Sequence, residues 1–286
     1  MPSLIGTDAN EILTVPGGNS NLTGYTVLGV GGKDTLVGGG GRDKLVAASG
    51  SSLLIGGNGN DQLYGSFGDD TENGGNGDDL LFGDFGNDYL VGESGNDRMF
   101  GGFGDDLIFG GDGNDTMDGS VGSDVLFGGA GDDVITGGTN GALDAPPGFF
   151  EDYLVGGSGS DILNGFGGGT GNTEIDWLIG GGAVDADGFV TDISPDGFKD
   201  TFVLGDSSSV YYASRGADDY ALIFDFESGI DKLRLKSGVT YTPRNADFNG
   251  DGITDTGLFA QVSGAVDLIA IFNGGVSLTS TDITFV

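Results

Sequence analysis

Residues 29 to 136 divide into twelve consecutive nine-residue units without an insertion. So short and regular a period confines the chain to architectures that stack one small unit on the next. The first position is Gly in every unit except at Ala47, and the fourth is Gly throughout, from Gly32 to Gly131. The sixth is Asp at Asp34, Asp43, Asp61, Asp70, Asp79, Asp88, Asp97, Asp106, Asp115, Asp124 and Asp133, with Ser52 the one departure. The eighth is apolar at Leu36, Leu45, Leu54, Leu63, Leu81, Leu90, Met99, Ile108, Met117, Leu126 and Ile135, broken only by Glu72. Four columns held in phase over that length are no accident of composition.

Each unit reads as one turn followed by one short strand. Gly at positions one and four is expected to admit positive φ and to bring backbone carbonyls near a bound ion, while the eighth side chain points inward. Two units then make a coil of eighteen residues, so positions i and i+18 stack about 4.8 Å apart, the spacing of neighbouring strands. That geometry puts Asp70, Asp88, Asp106 and Asp124 in one column and Asp61, Asp79, Asp97, Asp115 and Asp133 in another. Bare carboxylates so placed repel by about 3 to 4 kcal/mol per neighbouring pair at an effective dielectric of 20. The core is too thin to offset this, because each unit buries one aliphatic side chain, worth about 1.5 to 3 kcal/mol. A hard divalent cation between turns reverses the balance: Ca²⁺ takes six to eight oxygens, which carboxylates and turn carbonyls can share, whereas Mg²⁺ demands a tight octahedron and keeps its water. About ten or more such ions would cancel most of a formal charge of -34. Ser52 and Ala47 mark a weakened or empty position, and Glu72 has no explanation from the sequence.

Composition removes several functions. Forty-four acids face ten basic residues, so the chain repels nucleic acid and anionic lipid. Without His or Cys there is no Ser-His-Asp or Cys-His nucleophile, no His or thiolate zinc site and no disulfide framework. No apolar run reaches the roughly 18 residues of a membrane span. The start, MPSLIGTDANEIL, lacks a basic stretch followed by an apolar one, so any export is expected to use a signal other than a cleaved leader.

Units such as GGNGNDQLY (56 to 64) and GGDGNDTMD (110 to 118) resemble the nonapeptide of RTX, or hemolysin-type, calcium-binding proteins. Weaker copies at Asp152, Asp161 and Asp176 extend the likeness to about residue 180, and IGTDANEIL reads as a decayed first unit. The resemblance implies an all-β chain folded as a right-handed parallel β-roll with a C-terminal β-rich capping domain. It also implies calcium at the repeat aspartates and export by a type I pathway, and the terminal TDITFV reads either as that pathway's uncleaved signal or as an ordinary last strand.

We expect an N-terminal cap over 1–28, the roll over 29–180 and the capping region over 181–286. Within the last, 199 to 238 reads as several strands, and Asp225 to Leu235 resembles a D-F-x-x-G-x-D-x-L-x-L pattern of such caps. Asp247, Asn249, Asp251 and Asp255 form D-x-N-x-D-G-x-x-D, either a second type of calcium loop or a plain Asx-turn loop. The twelfth position is Leu258 where an EF-hand has Glu.

Position three carries Phe67, Phe85, Phe103 and Val121 at intervals of eighteen, one apolar column, and the outward ninth position adds Tyr64, Phe82 and Phe100 in one ladder and Val91, Phe109 and Phe127 in another. Either the rings only stack on one another or lie under the cap and inserted loops, or they form a docking strip for self-association or a cell-surface partner. The leading expectation is a secreted, non-enzymatic calcium-binding protein at the cell surface, in a coat, filament or matrix. The motive is a roll that starts close to Met1, leaving about 28 residues for any catalytic domain before it. The alternative is a carbohydrate-active or other secreted enzyme or toxin-associated RTX module, since carboxylate-only glycoside chemistry needs just two acids. An ice-binding ladder is disfavoured by the irregular seventh position.

Overall fold

A computed structural model describes residues 1–17, 24–139, 152–166, 175–181, 183–184, 190–192, 197–205, 220–248, 252–262 and 265–286. Those residues form strands and turns with no helix. They divide into two units, Met1–Ala130 and Gly131–Val286.

In the first unit the strands alternate between two sheets. One holds, in spatial order, Ser3–Ile5, Thr26–Leu28, Lys44–Val46, Gln62–Phe67, Leu80–Phe85, Arg98–Phe103 and Thr116–Val121; the other holds Ile12–Thr14, Thr35–Gly40, Leu53–Asn58, Thr71–Asn76, Tyr89–Ser94, Leu107–Asp112 and Val125–Ala130. Every neighbouring pair is parallel, and from Thr26 onward the register is the eighteen-residue step read from the sequence: Gln62 faces Leu80, Phe67 faces Phe85 and Phe85 faces Phe103. The decayed first unit joins the sheets by a longer step, with Leu13 paired to Leu36 and Leu4 to Val27, each twenty-three residues on. Leu36, Leu45, Leu54, Leu63, Leu81, Leu90 and Met99 are wholly buried, so the core is two facing stacks of eighth-position side chains. Glu72 stands in one of these stacks, in register between Leu54 and Leu90, and is equally buried.

The backbone corrects one part of the glycine reading. Position four does require positive φ, from +86° at Gly50 to +154° at Gly122, and a Cβ at Gly50, Gly59, Gly77 or Gly122 would overlap the carbonyl oxygen of its counterpart one coil back. Position one does not lie in that region. Position two does from Gly57 onward, and it stays there at Ser66, Asp84, Glu93 and Ser120, with φ of +72° to +78°, despite the strain a side chain incurs, whereas Val30 and Ala48 lie outside the region.

In the second unit parallel pairing continues beyond residue 180, where the period has dissolved. Val134–Thr139, Ile162–Phe166, Thr201–Val203, Lys232–Leu235 and Ile283–Phe285 lie side by side. So do Tyr153–Ser158, Ile175–Ile179, Tyr220–Phe224 and Ala265–Phe272. Antiparallel strands Asp255–Val262 and Thr240–Ala246 then extend the second of these rows. Leu163, Leu178, Phe202 and Leu233 are fully buried, and Phe226 bridges Phe202 and Phe272 through ring contacts. Aromatic side chains thus join the aliphatic ones in the core of this unit.

Candidate metal centre

The sixth-position aspartates are buried under the turns, 3% exposed or less, which for a charged side chain demands partners. One partner is the backbone of the neighbouring coil. The amide of Asp61 donates to Oδ1 of Asp79, that of Asp79 to Asp97, and that of Asp97 to Asp115, all at 2.7 Å. In the other column Asp70 donates to Asp88 at 2.7 Å, and Asp88 to Asp106 and Asp106 to Asp124 at 2.8 Å. Ser52 keeps its place in this second chain, its hydroxyl accepting from the Asp34 amide at 3.1 Å and its own amide donating to Asp70 at 2.6 Å. It closes the ladder without supplying a charge.

The second oxygen is the informative one. Oδ2 of Asp34, Asp43, Asp61, Asp70, Asp79, Asp88, Asp97 and Asp106 is buried and makes no hydrogen bond. It lies against the Cα of the first-position glycine five residues earlier, where a Cβ at Gly56, Gly65, Gly74, Gly83, Gly92 or Gly101 would overlap it. The first glycine is therefore needed to make room for a carboxylate oxygen, not to turn the chain. Burial, chiefly, and then the neighbouring carboxylates push these groups far up in the cation-free chain: Asp61, Asp88, Asp97 and Asp115 to about 6, Asp70 and Asp124 to about 7, Asp79 and Asp106 to about 8. The amide each accepts offsets only part of this. Asp282 shows the opposite case. Burial raises it, but the amides of Thr279 and Gly229 and the Ser228 hydroxyl all donate to its carboxylate and hold it below the ordinary value.

A row of buried carboxylate oxygens without donors fits a hard cation. The family model of the RTX calcium-binding nonapeptide repeat matches at residues 28–51, 37–72, 73–108, 109–140 and 148–168. The chain is an RTX-repeat protein. None of the curated proteins compared with it matches.

RTX repeats bind calcium, and the residues that would hold it in this chain are the ladder aspartates, through the oxygen that the backbone leaves unused. Calcium so held supplies the positive charge that these buried oxygens lack. Among the described residues no three acidic side chains converge on one point, so backbone carbonyls must complete a shell of six to eight oxygens.

The ladder of the RTX protein also recruits residues that the repeat does not mark. Asp133 donates to Asp161, Asp161 to Asp200 and Asp200 to Asp231, at 2.8, 2.8 and 3.0 Å, across separations of 28, 39 and 31 residues. Asp152 donates to Asp176 at 3.1 Å. Asp200 was legible only as D-x-F, with Phe198 where the fourth-position glycine should stand, whereas Asp231 keeps that glycine in Gly229, at φ +94°, inside the cap pattern. Asp225, from the cap pattern, binds the amides of Gly180 and Gly181 through its two oxygens; burial above all, with some repulsion from Asp200 and Asp231, pushes it to about 8.

In the proposed extra loop Asn249 and Asp251 lie outside the described residues. Asp247 accepts from Gly252 at 3.1 Å, and the buried Asp255 accepts from Phe248 and Gly274 at 3.2 and 3.4 Å, holding two loops to the head of its own strand.

Proposed function

We propose that the protein is secreted, folds on roughly ten or more calcium ions outside the cell, and serves there as a non-enzymatic structural component that assembles at the cell surface. RTX-repeat proteins are typically exported, and extracellular calcium modules bind at about 10⁻⁴ to 10⁻³ M, so the chain stays open where calcium is scarce and closes where it is plentiful.

The observation that supports assembly is the third-position column. Phe67, Phe85 and Phe103 stack at 4.9 Å, nearly parallel, yet remain 59%, 46% and 53% exposed. Stacking on each other does not hide them. The ninth-position ladders differ: Tyr64, Phe82 and Phe100 stack at 5.2 and 5.0 Å in half-buried positions, and Phe127 is 4% exposed. Burying an exposed ring strip on a second molecule gains the area term that solvent now denies it.

Light scattering during a calcium titration provides the test. Particle mass should rise with calcium for the native chain and stay at the monomer for Phe85→Ser with Phe103→Ser, while both keep the same strand signal. A native chain that stays monomeric at high calcium contradicts the assembly reading.

A further inference from the structure

On the sheet that contains Thr71–Asn76, three columns of the repeat hold one exception each, and the exceptions fall together. The inward eighth position is apolar except at Glu72. The outward ninth runs Val37, Ile55, Asn73, Val91, Phe109, Phe127, with Asn73 the single polar residue. The second position runs Gly39, Gly57, Gly75, Glu93, Gly111, Gly129, and Glu93 alone carries a side chain there, at φ +73°. Register places Asn73 between Ile55 and Val91, and Glu93 beside Gly75. Asn73 Nδ2 donates to Glu93 Oε1 at 2.6 Å.

Asn73 and Glu93 line one cleft of about 430 Å³, while the Glu72 side chain is wholly buried in the core behind it. Its form follows from the strand pitch. Leu53 and Ile55 on one side and Tyr89 and Val91 on the other stand two strand spacings apart, about 9.6 Å, and the row between them is lowered to Thr71 and Asn73. One saturated ring fits such a gap. The walls are apolar, Tyr89 is 42% exposed on the rim, and the floor presents an amide tied to a carboxylate. Strain retained at Glu93, in a column where glycine is otherwise universal, is the mark of a residue kept for something other than the fold.

We propose that this cleft binds a neutral oligosaccharide, seating one sugar ring between the Ile55 and Val91 rows. A pyranose has C–H faces for Leu53, Ile55 and Tyr89 and a rim of hydroxyls for the Asn73 carbonyl, the second oxygen of Glu93 and the Thr71 hydroxyl. The Glu93 carboxylate in the floor argues against uronic or sulfated sugars, whose anionic groups it repels. Nothing here depends on the assembly reading or on Phe67, Phe85 and Phe103.

Isothermal titration of the full chain in millimolar calcium tests it, with maltohexaose, cellohexaose and chitohexaose as probes and oligogalacturonate as the charged counterpart. At least one neutral hexamer binds at millimolar affinity or better, and the galacturonate does not. Asn73→Val and Glu93→Gly each return a column to its own residue type, so each keeps or raises Tm while weakening binding at least tenfold. Phe85→Ser leaves it unchanged. Failure of all three neutral hexamers, tighter binding of the galacturonate, or affinity that survives both repeat-restoring variants overturns the proposal.

Discussion

Removal of calcium at pH 8 is expected to abolish the far-UV strand signal of this chain, and acidification of the same chelated sample to pH 5 to restore part of it. Both follow from the buried oxygens. In the cation-free fold Asp61, Asp88, Asp97 and Asp115 titrate at about 6, Asp70 and Asp124 at about 7, and Asp79 and Asp106 at about 8, chiefly because they are buried. In the unfolded chain the same groups titrate near 3.9. Between about pH 4 and pH 8 the native form therefore holds protons that the unfolded form has released. Linkage then makes stability fall as pH rises through that window and recover as pH falls. Calcium takes the place of those protons at neutral pH, so with calcium present the dependence inverts: acid competes for the carboxylates and drives the ions off. Circular dichroism at pH 8, 6.5 and 5, with chelator and with millimolar calcium, separates the two branches. A chelated sample that loses its strands more completely at pH 5 than at pH 8 contradicts the assignment.

The second large effect is a gain. Glu72→Leu should raise the melting temperature in saturating calcium by roughly 8 °C, corresponding to about 3 kcal/mol. Glu72 is fully buried between Leu54 and Leu90, and neither of its oxygens makes a hydrogen bond. Burial first, then the carboxylates of Asp70, Asp88 and Asp84, push it well above the ordinary range. Leucine removes an unsatisfied polar group and extends a stack of aliphatic side chains already in register. Differential scanning calorimetry decides the matter. A lower melting temperature for Glu72→Leu shows instead that the acid holds something the core needs.

Much of this architecture was legible because the period itself encodes it. Once Asp recurs every nine residues with an apolar residue two places on, the eighteen-residue step, the parallel register and the buried eighth column follow from strand spacing alone. The two glycines were harder to read. Position one conserves space for a carboxylate oxygen that only the folded coil brings there. Position two hides its left-handed backbone behind Ser66, Asp84, Glu93 and Ser120, residues that no propensity places in that region. Beyond residue 140 the ladder persists while its signature fails, since its steps there are 28, 39 and 31 residues and no longer eighteen. Asp200 keeps only the strand half of a unit and Asp231 the strand and one glycine, so their membership of the ladder emerges from hydrogen bonds between coils. Aromatic exposure was undecidable from sequence for a related reason: third and ninth positions both face outward, but their solvent access differs with the height of the neighbouring rows.

Crystals grown in millimolar calcium and measured for its anomalous signal test the central claim most directly. Difference peaks are expected about 2.3 to 2.6 Å from Oδ2 of Asp61, Asp79 and Asp97 in one column and of Asp70, Asp88 and Asp106 in the other, with the weakest beside Ser52. Well-ordered aspartates in these places with no peak beside them would contradict it.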